Sequence, residues 1–110
     1  MTNPAPASEV VAHMVYFTLR EPTPAAQKKL VEDCRRYLKE IPGIVFFAVG
    51  PRIADLARPV NVQDFHVGLH VIFNSREAHD RYQTDERHQR FIAENKGGWE
   101  RIRVFDCAAS

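Results

Sequence analysis

The sequence predicts an α+β domain of the order β-α-β-β-α-β. Its expected form is a ferredoxin-like four-stranded antiparallel sheet with the helices on one face. Three observations carry that expectation. Val10 to Leu19 and Val62 to Phe73 alternate with the period of two of a half-buried strand. Leu30, Val31, Cys34, Leu38 and Ile41 recur close to a 3.6-residue period. Pro42-Gly43, Gly50-Pro51 and Gly97-Gly98 cut the chain into short elements.

The first strand, Val10 to Leu19, puts Val11, His13, Val15, Phe17 and Leu19 on one face. Thr23-Pro24 then opens a helix, with a capping hydroxyl followed by a proline at the first helical position. Pro42-Gly43 stops it. Ile44 to Val49 is a short apolar run and reads as the second strand. Arg52 to Gln63 has no clear period, contains Pro59, and reads as a loop. Val62 to Phe73 is the third strand, with Phe65, Val67, Leu69, Val71 and Phe73 on one face. Ser75 caps a short helix through about Tyr82, a second helical piece runs from about Glu86 to Asn95, and Trp99 to Cys107 is the fourth strand. The helix-free face would then carry Ala12, Met14, Tyr16, Thr18, His66, Gly68, His70 and Ile72. Such a mixed aromatic and apolar surface predicts self-association.

Composition narrows the function. At 110 residues and 45% hydrophobic content, the chain suits one domain with a real core. Its 15 Lys+Arg against 14 Asp+Glu leave a net charge of +1, which is no footprint for nucleic acid. The basic residues of the first helix alternate with Glu32, Asp33 and Glu40 and read as a solvated face. Cys34 and Cys107 make no metal or redox spacing, and Cys34 falls on the apolar side of its helix. Residues 1–8 read as a flexible Pro/Ala-rich tail, with residues 9–107 as the domain. No apolar run is long enough to span a bilayer, and a cytoplasmic location is expected, with no membrane partner and no cofactor.

The segment Tyr82 to His88 is a candidate site for proton transfer, with a purely structural role for the pair as the alternative. On one unbroken helix, residues six apart are rotated by about 600° and point apart. Asp85, or Thr84 before it, can cap a new helix, and the resulting change of direction would let the Tyr82 phenol and the His88 imidazole converge. His88 shares a helical face with Phe91, Ile92 and Asn95, which turns it inward. An imidazole titrates near 6.5 and exchanges protons at neutral pH. His13, on the inward face of the first strand, reads either as a core histidine bonded to a neighbour or as a pocket acid or base. His66 and His70 are not a metal pair, because four residues of strand span roughly 13 Å. His79 is expected to be exposed and Trp99 to be a packing anchor.

His13-Met14-Val15-Tyr16-Phe17, Ile41-Pro42-Gly43-Ile44, Asp64-Phe65 through Phe73-Asn74-Ser75, Tyr82 to His88, and Val104-Phe105-Asp106 together resemble the stress-responsive A/B barrel (Dabb) family. The resemblance spans about residues 9 to 107. It implies a dimeric α+β barrel whose two sheets pack through their helix-free faces. A plant branch of that family contains polyketide cyclases of the olivetolic acid cyclase type. In that branch a strand-one histidine, a tyrosine and a second histidine line a pocket between sheet and helices. By motif position these imply His13, Tyr82 and His88 as catalytic residues here, acting on a small carbonyl-type ligand without a cofactor. The chain departs from the pattern at Asp85-Glu86, where the family often reads His-Pro, and at Cys34, which aligns with a second pocket tyrosine. The alternative is a non-catalytic, stress-related dimer that binds or supports a partner.

Overall fold

A computed structural model describes residues 9–110. The expected tail, residues 1–8, lies outside them. The elements run β1 (Val10–Leu19), α1 (Pro24–Leu38), β2 (Ile44–Pro51), β3 (Val67–Phe73), α2 (Arg76–Thr84), α3 (Glu86–Asn95) and β4 (Trp99–Ala109), with a single 3₁₀ turn at Lys96–Gly98. The sheet order is β2-β3-β1-β4, and every neighbouring pair is antiparallel. This is the ferredoxin-like arrangement that the order of elements predicts. No helix among the described residues is long and apolar enough to cross a membrane.

Period two on β1 drives the packing. Val15 and Phe17 sink into a core with Val67, Leu69, Val71 and Phe73 of β3. Leu30, Cys34 and Leu38 of α1, with Phe91 of α3, close that core from above. Phe17, Phe91 and Trp99 stack at one end, with ring centroids 5.1–6.3 Å apart, so Trp99 is the anchor expected of it.

Several boundaries differ from the sequence reading, and β2 and β4 each run two residues further, to Pro51 and Ala109. The third strand starts at Val67 and not at Val62. Residues 64 and 65 spend their carbonyls on side chains: Thr18 Oγ1 donates to Asp64 O, and Arg52 Nε donates to Phe65 O at 3.0 Å. With no strand there, the alternation does not reach back to Phe65. Its ring lies on the helix-free face, 4.9 Å from Tyr16, instead of sharing a face with Val67. Helix α1 ends at Leu38, before Ile41, although Ile41 is still buried at 3% exposure.

Gly43 sets the position of the next helix. It sits at φ +95°, and a Cβ there would lie 2.4 Å from the Cβ of Ala78. The Gly43 carbonyl also accepts from Asn74 N–H at 2.9 Å. Without a side chain, this turn lets α2 settle onto the sheet beside β1.

Candidate functional site

Three predicted site residues come together on the helix-covered face. Asp85 ends α2 and caps α3, its carboxylate accepting from Arg87 N–H at 2.8 Å. The chain turns there, and the His88 ring stacks against Tyr82 with centroids 4.5 Å apart. On its other side Tyr82 meets His13 at 5.8 Å and Phe73 at 4.9 Å. The break that the capping residue predicts therefore does bring phenol and imidazole together. Tyr82 is only 1% exposed, while His88 is half-buried.

Hydrogen bonds fix which nitrogen of each histidine is free. His88 Nδ1 lies 3.3 Å from the Gln83 carbonyl. A carbonyl can only accept, so Nδ1 carries the proton and Nε2 keeps its lone pair. His13 Nδ1 lies 2.5 Å from Asp106 Oδ1, and the carboxylate assigns the same tautomer there. Burial holds His88 below the usual imidazole range, with a smaller contribution from nearby His13, against the Gln83 bond that raises it. His13 is also lowered, because burial outweighs its bond to Asp106. Burial pushes the Tyr82 phenol well above its ordinary value, so it keeps its proton and acts as a donor. The Cys34 thiol, fully buried, is pushed up in the same way and stays a thiol.

The sequence reading missed two residues of this cluster. Asp106 faces His13 because the two are register partners across β1 and β4. His79 was expected in solvent, but its side chain is only 15% exposed. Its ring lies 5.4 Å from His13 and 5.6 Å from Phe73, and its Nε2 is 3.9 Å from Asp106 Oδ2. The physical reason is the close seat of α2 at Gly43, which lowers the residue after Ala78 onto the sheet. A signal for it does exist in the sequence, since residues 79 and 82 share one helical face.

The opposite face of the sheet holds a broad concavity of about 730 Å³. Met14, Tyr16, Arg52, Phe65, His70 and Phe105 are among its lining residues. His70 pairs with the Tyr16 hydroxyl at 3.1 Å, and His66 Nδ1 accepts from Leu19 N–H at 2.9 Å. Both histidines thus serve the fold of that face. The concavity does not reach His13, Tyr82 or His88, so size and chemistry point to different sides of the sheet. The titratable groups His13, His79, Tyr82 and His88 converge on the helix-covered side instead.

The chain belongs to the stress responsive A/B barrel domain family, whose family model matches residues 11–109. No match was found among curated proteins. Solved structures of the same fold include a Dabb family protein with a ferredoxin-like fold from Mesorhizobium loti. It is 23% identical at TM-score 0.77, covering 93% of this chain and 98% of that one. A dimeric ferredoxin-like protein of unknown function from Thermobifida fusca is 13% identical at TM-score 0.78, with 93% and 92% covered. A hydroxynitrile lyase from Passiflora edulis is 17% identical at TM-score 0.76, with 94% and 95% covered.

Proposed function

We propose that this A/B barrel protein takes a small carbonyl compound beside Tyr82 and moves a proton on it without a cofactor. The single observation that supports this reading is the stack of His88, Tyr82 and His13, with the Tyr82 ring 4.5 Å and 5.8 Å from its two neighbours. His88, neutral and with Nε2 free, removes an acidic proton α to the carbonyl. The Tyr82 phenol, which keeps its proton, donates to the oxygen as it becomes an enolate. His13, oriented by Asp106, positions the substrate, and the His88 imidazolium returns the proton it has taken. The reaction class is that of a lyase or cyclase, and the fold-level likeness to a hydroxynitrile lyase is in keeping with it.

The same proposal includes a homodimer formed through the helix-free face. Phe46 and Phe105 are 52% and 57% exposed there, and Ile53, Leu56, Val60 and Val62 of the long loop are exposed beside them. A surface of that character favours burial against a second copy.

The test of the chemistry follows α-proton exchange of short β-keto esters into D₂O by NMR. Exchange accelerated by the protein is expected to drop about a hundredfold in His88→Ala, the usual weight of a general base. Unchanged exchange in that variant would remove His88 from the mechanism. A second reading, a non-catalytic dimer, is favoured by the near-complete burial of Tyr82. Absence of any acceleration by the wild-type protein across the keto-ester series would select it.

A further inference from the structure

We propose that His13, His79 and Asp106 form a binding site for one divalent first-row transition cation, of which Zn²⁺ is the type. The three come from β1, α2 and β4, and one donor atom of each lies within 4.8 Å of the others. Donors around an ion with bonds near 2.0–2.1 Å sit about 3.3 Å apart. The 2.5 Å gap between His13 Nδ1 and Asp106 Oδ1 must therefore open, and the 3.9 Å gap between His79 Nε2 and Asp106 Oδ2 must close. Both gaps involve the Asp106 carboxylate, whose side chain is 46% exposed and so has room to adjust.

The surroundings suit a ligand set as well. His79 Nδ1 lies 2.9 Å from Asp80 Oδ1, so it donates there and leaves the Nε2 lone pair directed at Asp106. A carboxylate behind the far nitrogen is the usual support of a metal-bound imidazole. The Gln83 amide, 3.4 Å from His79 Nε2, is the remaining polar neighbour and has to turn aside or offer its oxygen. Two imidazoles and one carboxylate select zinc, cobalt, nickel or iron over magnesium and calcium, which prefer oxygen donors throughout. The exposed side of Asp106 leaves room for water to complete the coordination. An ion on His13 Nδ1 would shift that ring's proton to Nε2, so the bound ion and a proton-accepting His13 exclude each other.

Binding goes beyond the proposed reaction and is read without any substrate. Metal-stripped protein titrated with Co²⁺ is expected to develop ligand-field absorption that saturates at one ion per chain and is bleached by Zn²⁺. His79→Gln and Asp106→Asn should each weaken Co²⁺ binding at least tenfold. Asp80→Asn, which changes no ligand, should weaken it about tenfold through loss of the support to His79. It also serves as the second variant should either of the others fail to fold by circular dichroism. His70→Gln on the opposite face should bind as the wild type does. No saturable absorption, or wild-type affinity in the folded His79→Gln and Asp80→Asn proteins, would overturn the site.

Discussion

His13 and Met14 are consecutive on β1, yet they belong to two different surfaces. His13 points under the helices with Tyr82, His79 and Asp106 around it, and is 6% exposed. Met14, with Tyr16 and His70, lines the open concavity on the other side. The helix-covered face concentrates titratable groups with assigned tautomers, one of them deeply buried. The helix-free face presents aromatic and aliphatic surface, and its histidines bond a phenol and a backbone N–H. One β-strand thus feeds two different surfaces, because successive side chains leave it in opposite directions. The difference also warns against reading a site from concavity alone, since the broad hollow of the helix-free face is the one that a second copy of the chain is proposed to fill.

The comparison can be broken most forcefully on the open face. Phe105→Asp places a charge on the proposed dimer surface twice per dimer. At a buried interface aromatic this is worth roughly 4 kcal/mol in total, or about a thousandfold in dissociation constant. Light scattering after size exclusion should show monomers at micromolar concentration, with circular dichroism unchanged. A dimer that persists would remove this face from the assembly.

On the covered face, Gly43→Val should be the most disruptive single change. It combines a left-handed backbone with a Cβ placed 2.4 Å from that of Ala78. A loss of about 3 kcal/mol is expected, which for a domain near 100 residues lowers Tm by more than 10 °C. A near-wild-type melt would mean that α2 is not held down by this contact. Asp85→Ala should cost about 1 kcal/mol by removing the cap of α3. The informative readout is whether His88 chemistry is lost beyond what that small destabilisation explains.

The smallest effect is a pH slope. Burial lowers the His88 pKa in the folded protein below its unfolded value near 6.5. Above that pH both states are neutral and the group contributes nothing to the slope. As pH falls through 6.5 the unfolded chain takes up the proton first, so stability declines until the folded pKa is reached. Thermal melts from pH 7.5 downward should therefore show a falling Tm, and His88→Gln should flatten part of that fall. An identical slope in the variant would show that His88 is not buried enough to matter.

Much of this architecture was legible in the chain itself. Alternation through Val10 to Leu19 assigned the inward face of β1, Thr23-Pro24 began α1 at the residue observed, and Asp85 marked the helix break. These are local properties: a strand's period, a hydroxyl beside unpaired N–H groups, a carboxylate at a helix start. Local signals failed where a distant group supplied the partner. Phe65 left its expected face because Thr18 and Arg52 claim the carbonyls around it. His79 shares a helical face with Tyr82, but how closely that face approaches the sheet depends on Gly43, 36 positions earlier, which no signal near His79 reports.

The sequence by itself determined the order of the elements and the proximity of Tyr82 to His88 across a six-residue gap, because short-range sterics and capping suffice for both. Only the tertiary structure decided that Asp106 stands opposite His13, 93 residues away, and that His79 joins them. Strand register and helix height are set by the packing of the whole core, so donors from β1, α2 and β4 become neighbours only once that core has formed.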